Sequence, residues 1–298
     1  MRKIVTHKSS DLDAIGSVWL LKRFFPGWED AEVEFVNAGD KLQGAYENVG
    51  QAIELCDRIE TIHVDTGMGA LDHHQTSDNN ICAAKLTFDY VLTNEQTQLH
   101  KHDNQKESVR RIVEIVIDDD HFQEVYYPDA TNDVYETGIV AIIQGYKILH
   151  RLEDKELCVF VFELLDTIMH NLEAKIWAEN EIKEKGIEFE SKWGKAVAVE
   201  TLNDEVLKQA QMMGYKLSIR KDSSYGYLRI KALPDKRGGE SLNIDLTEAY
   251  EKLKSIDPEA SWFLHASKRM LLNGSSKNPD MNVSKLTLDQ VIDVLKNQ

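Results

Sequence analysis

The first 65 residues alternate between short apolar runs and amphipathic segments, and this alternation limits the fold more than any other feature. Residues 4–5 form an apolar run that ends at Thr6 and His7, and residues 14–25 have the spacing of an amphipathic helix. Residues 32–36 alternate like a strand, residues 44–56 resemble a helix, and residues 61–64 form another apolar run. This order predicts a parallel sheet whose strands end at one edge, where ligands usually bind.

The remaining sequence predicts helices packed on that sheet and then a second domain. The helical patterns cover residues 108–117, 138–149 and 157–189. Strand patterns between glycine-rich turns follow at residues 196–200, 216–220 and 225–232. We therefore predict an α/β fold with a parallel-sheet domain and flanking helices over residues 1–190, and a smaller α/β domain over residues 191–298.

The charge balance limits the partners of the chain. The 298 residues contain 35 Lys and Arg against 51 Asp and Glu, so the formal net charge is −16. Such a charge argues against a protein that coats long nucleic acid by electrostatic attraction. A phosphate-bearing substrate would need local positive charge, which bound divalent cations can supply while the surface stays acidic.

Cysteine usage and hydropathy indicate the compartment. Cys56, Cys82 and Cys158 are widely spaced and form no C-x-x-C pair, so we predict reduced, buried thiols. The N-terminus reaches His7 and Asp11 before an apolar stretch of signal-peptide length develops, and no later stretch approaches about 18 uninterrupted apolar residues. These features predict a cytoplasmic protein that does not bind membranes.

Acidic residues and histidines cluster where the predicted strands end. His7, Asp11 and Asp13 lie between the first strand and the first helix, Asp65 ends a later strand, and the triplet of residues 72–74 is Asp-His-His. A lone Asp-x-Asp is usually a turn or a helix cap, and a lone His-His is common on surfaces. The joint pattern instead indicates a centre for two divalent cations. Oxygen and imidazole ligands suit Mn²⁺, our preferred ion, as well as Mg²⁺ or Co²⁺.

These motifs resemble those of the DHH phosphoesterases, which are named for the triplet that stands here as Asp72, His73 and His74. The sequence is most similar to the metal-dependent protein hydrolase branch, which includes a 3′-to-5′ RNA exonuclease. The triplet continues into Gln75 as in that branch, the charged helix pattern over residues 165–189 is similar in type and place, and residues 263–267 resemble its Phe-Val-His-Ala-Ser segment.

The resemblance implies roles for individual residues. It assigns one cation to His7, Asp11 and Asp65, and the other to Asp13, Asp65, His73 and Asp120. Asp65 would bridge the ions, Asp72 would orient His73, and His74 would face the phosphate, with plain packing as the alternative role of His74. The family's late aspartate falls in the Asp118–Asp119–Asp120 run. Asp120 returns to the apolar face of Val113 and is preferred, with Asp119 second.

A phosphate-binding site is predicted in the C-terminal domain. Its candidate residues are His265, Ser267, Lys268, Gly274 and Ser275. They combine basic and hydroxyl groups with a Gly-Ser turn whose backbone N–H groups could meet an anion. A solvated loop is the ordinary alternative for such a segment, as surface charge is for Arg220 and Arg229.

Together these features predict a metal-dependent phosphohydrolase that cleaves phosphodiester bonds of short oligonucleotides or nucleotides by metal-activated water, in the manner of a 3′-to-5′ exonuclease. The expected partners are a phosphate-containing small molecule or short RNA or DNA, and the chain could form a homodimer. A pyrophosphatase or polyphosphatase of the same superfamily is one alternative. A non-catalytic sensor that binds a nucleotide is another.

Overall fold

The computed structural model describes residues 1–151, 153–275, 278 and 280–296. The chain divides into two compact units, residues 1–173 and 174–298. Within the described residues there are two sheets and eight α-helices, so the predicted α/β character is confirmed. The division into functional domains at residues 190 and 191 stays a prediction. No helix among the described residues has the length and apolar character needed to cross a bilayer.

The first unit contains a five-stranded sheet in the order β2-β1-β5-β4-β3. Its strands are β1 (Arg2–His7), β2 (Glu32–Val36), β3 (Tyr46–Glu47), β4 (Glu54–Cys56) and β5 (Ile59–His63). Strand β1 pairs in parallel with β2 and β5, whereas β4 pairs antiparallel with β5 and β3 pairs antiparallel with β4 at one edge. The sheet is therefore mixed, and the prediction of a parallel sheet holds for three of its strands.

The prediction of a helix over residues 44–56 is wrong, because this segment forms the hairpin strands β3 and β4 and their turns. Asn48 and Gly50 have φ values of 60° and 88°, which interrupt any right-handed helix. Asp57 and Arg58 have φ values of 49° and 65°, as a tight two-residue hairpin turn between β4 and β5 requires. Left-handed backbone at several positions thus overrides the apolar spacing of this segment.

Helices of the first unit cover the sheet and supply much of its core. They are α1 (Leu12–Phe24), α2 (Ala83–Thr93), α3 (Asp103–Asp120), α4 (Ile139–His150) and the start of α5 (Asp154–Lys185). Helix α1 is buried along almost its whole length, and Ile15, Trp19 and Leu20 are at most 1% exposed. Because α1 follows β1 after a short turn, its buried N-terminus lies beside the end of β1.

The second unit contains a six-stranded sheet in the order β10-β11-β9-β8-β7-β6. Its strands are β6 (Ile187–Ser191), β7 (Gly194–Glu200), β8 (Leu217–Lys221), β9 (Leu228–Ala232), β10 (Trp262–Leu264) and β11 (Met270–Asn273), and its further helices are α6 (Glu205–Met212), α7 (Thr247–Ile256) and α8 (Leu288–Lys296). The predicted strands over residues 196–232 are confirmed. Strands β7 and β8 pair in parallel, whereas the other neighbouring strands of this sheet pair antiparallel.

Candidate metal centre

The ends of two parallel strands bring the first candidate ligands together. His7 is the last residue of β1, and Asp65 follows the neighbouring strand β5. The His7 Nε2 atom lies 3.1 Å from Asp65 Oδ2 and 3.8 Å from Asp11 Oδ2. His7 Nδ1 lies 2.9 Å from the Lys8 carbonyl oxygen, which can only accept a hydrogen bond. That bond fixes the ring and directs Nε2 to the two carboxylates.

His73 is the centre of a second group of ligand atoms. Its Nε2 atom lies 3.5 Å from Asp65 Oδ1, 3.6 Å from Asp13 Oδ2 and 3.6 Å from Asp120 Oδ2. His73 Nε2, Asp65 Oδ1 and Asp120 Oδ2 are all buried and have no hydrogen-bond partner among the described residues. Buried polar atoms without a partner are unfavourable unless something else satisfies them. Their convergence fits a divalent cation, whose neighbouring ligand atoms stand about 3 Å apart when bound at about 2.1 Å.

Asp65 belongs to both groups. Its side chain is 3% exposed, and its two oxygens face different histidines: Oδ2 faces His7 and Oδ1 faces His73. The residue also has a φ of 54°, a left-handed conformation that is unfavourable for a residue other than glycine. Three sets of residues could each hold a metal ion: His7, Asp11 and Asp65; Asp65, His73 and His74; and His73, Asp120 and His121. Asp65 thus belongs to two of the candidate ligand sets.

Asp13 also caps a helix, as the ordinary explanation of an Asp-x-Asp motif requires. Its Oδ2 accepts a hydrogen bond from the Ala83 N–H at 2.7 Å, and its Oδ1 accepts one from the Ala84 N–H at 2.6 Å, both in the first turn of α2. Asp11 in turn caps α1 through the Ala14 N–H at 3.0 Å. The capping and metal-binding interpretations are compatible, because each carboxylate oxygen has more than one lone pair.

The structure pairs Asp72 with His74 and not with His73. Asp72 Oδ1 accepts hydrogen bonds from His74 Nδ1 at 2.7 Å and from the His74 backbone N–H at 3.1 Å, and Oδ2 accepts one from Met68 N–H at 2.8 Å. The prediction that Asp72 orients His73 is therefore corrected. The His74 side chain is 57% exposed, so Nε2 is the ring nitrogen left for contacts outside the protein.

The acidic run at the end of α3 separates into different roles. Asp118 accepts a hydrogen bond from the Tyr127 hydroxyl at 2.8 Å, whereas Asp120 lies beside His73. Asp120, the residue preferred over Asp119 from the sequence, thus lies in a candidate ligand set. Helix α3 ends at Asp120, and His121 Nε2 then lies 3.5 Å from Asp120 Oδ2 and 2.9 Å from the Ile81 carbonyl oxygen. His121 therefore lies just beyond the last residue of α3 and beside Asp120.

Electrostatic effects in this cluster favour charged histidines. The hydrogen bond to Asp65 raises the pKa of His7 to about 9. Contact with Asp65 likewise raises the pKa of His73 to about 9, with support from Asp120 and Asp13. Burial raises the pKa of Asp65, but the two histidines outweigh burial and hold it below its ordinary value. Burial and the charge of Asp65 raise the pKa of Asp13. At neutral pH both histidines therefore carry a positive charge beside the carboxylate of Asp65.

A distant pair of side chains fixes the turn between His7 and Asp11. The Asp154 carboxylate accepts hydrogen bonds from the Ser9 N–H at 3.0 Å and the Ser10 N–H at 3.1 Å. Lys147 Nζ donates to the carbonyl oxygens of Ser9 and Ser10 at 2.9 and 3.1 Å. Ser9 has a φ of 55°. The ends of α4 and α5 thus hold the turn from which two candidate ligands project.

His63 has the structural role expected of a buried histidine. Its side chain is 2% exposed, its Nε2 accepts the Leu42 N–H at 3.2 Å, and its Nδ1 lies 3.3 Å from Glu54 Oε2. Burial lowers the pKa of His63 to about 4, so the ring is neutral. The three cysteines are buried and free, as predicted.

The predicted C-terminal phosphate-binding residues fall into two separate groups. His265, Ser267 and Lys268 lie in the turn before β11, whereas Gly274 and Ser275 follow β11. The four-residue strand between them spans roughly 13 Å, so the structure does not bring the groups together. Lys268 Nζ lies 2.9 Å from Asp245 Oδ2, and His265 Nδ1 lies 2.8 Å from Ser267 Oγ.

No family model and no curated protein sequence matches the chain. Among solved structures, it is similar to an uncharacterized protein from Helicobacter pylori G27, with 11% identity, a TM-score of 0.25, and coverage of 100% of this chain and 99% of that one. It is also similar to a candidate family II inorganic pyrophosphatase from Methanococcus jannaschii, with 13% identity, a TM-score of 0.20, and coverage of 99% of each chain. TM-scores this low carry no functional argument.

Proposed function

We propose that the first unit is a divalent-metal-dependent phosphohydrolase that cleaves phosphodiester bonds of short oligonucleotides or nucleotides. The observation that carries this proposal is the convergence of three buried ligand atoms that lack a hydrogen-bond partner among the described residues, His73 Nε2, Asp65 Oδ1 and Asp120 Oδ2. The resemblance of the motifs to those of DHH phosphoesterases supports the same chemistry. Two ions are proposed, with Mn²⁺ preferred over Mg²⁺ and Co²⁺.

His7, Asp11 and Asp65 would hold one ion, and Asp65, His73 and Asp120 the other, with Asp13 beside the second. Bound cations supply Lewis acidity toward a phosphoryl oxygen and lower the pKa of water. Asp65 would contribute to both ligand sets, because its two oxygens face His7 and His73. The Lys8 carbonyl oxygen fixes the His7 ring. The hydrogen bonds of Lys147 and Asp154 to the Ser9–Ser10 turn fix the positions of His7 and Asp11 relative to each other.

His74 is the proposed proton donor to the leaving oxygen. Asp72 accepts the hydrogen bond from His74 Nδ1 and thereby fixes the orientation of the ring. Nε2 is then the atom that can hold a proton and transfer it to a departing alkoxide. Because the His74 side chain is 57% exposed, a substrate can reach it without rearrangement of the core.

The charges of the chain favour phosphodiesters over pyrophosphate. A pyrophosphatase must neutralise a compact, multiply charged anion with several Lys and Arg side chains. Lys268 of the predicted C-terminal site is already paired with Asp245 at 2.9 Å, and the adjacent Arg269 is paired with Asp235 at 2.7 Å. A phosphodiester carries one negative charge per phosphate and makes a smaller demand on free cationic groups.

A substrate panel tests this proposal. With Mn²⁺, we expect release of mononucleotides from dinucleotides and from short RNA labelled at its 5′ end, with shortening from the 3′ end. Turnover of these substrates should exceed that of pyrophosphate and polyphosphate by at least about tenfold. Faster cleavage of pyrophosphate would instead support the pyrophosphatase alternative. Tight nucleotide binding without turnover in Mn²⁺, Mg²⁺ or Co²⁺ would support the sensor alternative.

Metal affinity is expected to rise with pH. His7 and His73 have pKa values raised to about 9, so below that pH each ion must displace a proton from its histidine. Between about pH 6.5 and 8.5 the apparent association constant for Mn²⁺ should rise by about tenfold per pH unit for each proton displaced. Calorimetric titration at several pH values measures this slope. In the His7→Gln variant the pH slope should be smaller by one displaced proton. An affinity independent of pH would contradict the assignment of His7 and His73 as ligands.

A further inference from the structure

The second unit contains a pocket at the carboxyl ends of its two parallel strands. Its volume is about 550 Å³, within the range of small-molecule sites. It opens between the segment that follows β7 and the turn that joins β8 to β9. The lining residues are Leu202, Asn203, Asp204, Arg220, Asp222, Tyr225, Tyr227 and Arg229. In α/β sheets this end of parallel strands is the usual place for a ligand.

Arg220, for which the sequence suggests surface charge, is instead buried at the floor of the pocket. Its side chain is only 4% exposed, and its Nη1 donates to the carbonyl oxygens of Thr201 and Leu202 at 3.1 and 2.8 Å and to Asp222 Oδ2 at 3.1 Å. Asp222 Oδ1 accepts the backbone N–H groups of Ser224 and Tyr225. The buried guanidinium therefore joins both loops that border the pocket, and the site is formed before any ligand arrives.

Two tyrosines form one wall. The rings of Tyr225 and Tyr227 are stacked, with centroids 5.4 Å apart and an interplanar angle of 14°. Tyr227 packs against the backbone of Gly274, where φ is 75° and any β-carbon would collide with the ring. Tyr225 is 68% exposed, so a flat aromatic face is available to a ligand. An exposed ring supported by a second ring is a stacking surface for a planar heterocycle.

The charges of the lining cancel. Asp204 contacts both Arg220, at 2.7 Å, and Arg229, while Asp222 pairs with Arg220. Two arginines and two aspartates give no net charge, so the pocket lining lacks the surplus cation that a polyphosphate group needs. Charged and amide groups from Arg229, Asp204 and Asn203 nevertheless provide donors and acceptors along the border. This combination suits a neutral planar ring with hydrogen-bonding edges.

We propose that this pocket binds a nucleobase, with the base stacked on Tyr225 and its polar edge toward Asn203, Asp204 and Arg229. The inference goes beyond the proposed hydrolysis and does not depend on it, because it concerns binding by the second unit. A nucleobase-binding pocket in the second unit would give the protein affinity for nucleosides in the absence of metal.

Binding by the full chain in EDTA tests this inference. Adenosine, AMP and inorganic phosphate are titrated calorimetrically, and we expect adenosine to bind and AMP to bind within about threefold of it, because the lining is neutral. Tyr225→Ala should weaken adenosine binding by about tenfold or more, whereas Tyr225→Phe should keep it within about twofold. Tyr126→Ala, which removes another exposed tyrosine, is the matched control and should bind like wild type.

The outcomes separate this inference from the hydrolase proposal. Asp65→Asn should bind adenosine normally in EDTA, since the metal cluster is not used. Binding of phosphate without adenosine, absence of adenosine binding at millimolar concentration, or equal weakening by Tyr225→Ala and Tyr126→Ala would each overturn the inference. Retained binding by Tyr225→Phe alongside loss in Tyr225→Ala would support it even if the alanine variant were less stable.

Discussion

Replacement of Asp65 by asparagine is expected to lower kcat for dinucleotide cleavage in Mn²⁺ by about 1,000-fold or more. The amide keeps the size of the side chain but replaces one oxygen with an N–H₂ group, which cannot bind a cation. Because Oδ1 faces His73 and Oδ2 faces His7, the substitution removes the ligand shared by both groups. Steady-state rates and Mn²⁺ titration of the purified variant measure the loss.

Asp118→Asn is the matched control for this experiment. Asp118 also belongs to an acidic cluster near the site, but its carboxylate is used by the Tyr127 hydroxyl and lies in none of the candidate ligand sets found among the described residues. Its turnover should stay within about threefold of wild type. Similar activity of Asp65→Asn and wild type would remove the metal mechanism.

Replacement of Asp13 by alanine is expected to lower the free energy of unfolding by about 2 kcal/mol in EDTA. The change leaves the N–H groups of Ala83 and Ala84 without their acceptor at the buried start of α2. Removal of a carboxylate whose burial is unfavourable offsets part of this loss, which is why the expected value is below that of two unsatisfied donors. Urea unfolding followed by circular dichroism measures the difference.

Asp11→Ala provides the comparison within the same motif. Asp11 caps α1 through one N–H, but its side chain is 58% exposed, so water can replace the lost bond. The expected loss is about 1 kcal/mol or less. If Asp13→Ala were no more destabilising than Asp11→Ala, the hydrogen bonds of Asp13 to the start of α2 would make no measurable contribution to stability.

The elements with strong periodicity could be predicted from the sequence. The amphipathic pattern over residues 14–25 corresponds to α1, and the alternation over residues 32–36 corresponds to β2. Residues 44–56 could not, because the left-handed backbone at Asn48, Asp57 and Arg58 is not apparent from hydropathy. Apolar spacing identifies a buried face, but turn conformation decides whether that face belongs to a helix or to a hairpin.

The candidate site shows the same division. The grouping of His7, Asp11 and Asp65 could be predicted from their places at strand ends, whereas the role of His73 follows only from the resemblance of its triplet to the DHH motif. The partner of Asp72 could not, because it depends on a tight local turn that brings Asp72 Oδ1 to both the side chain and the backbone of His74. The position of His121 depends on where α3 ends. The following residue, Phe122, has a φ of 54°, an unusual backbone conformation for an aromatic residue.

The hydrogen bonds of Lys147 and Asp154 to the Ser9–Ser10 turn affect the order in which the candidate metal centre forms during folding. These contacts join groups 137 to 145 residues apart, so they close one of the longest loops in the chain. Contacts of such long range form late during folding. The strand ends can meet early, but His7 and Asp11 reach their final register only when α4 and the start of α5 have docked. During refolding, tight capture of an ion should therefore lag behind formation of the sheet.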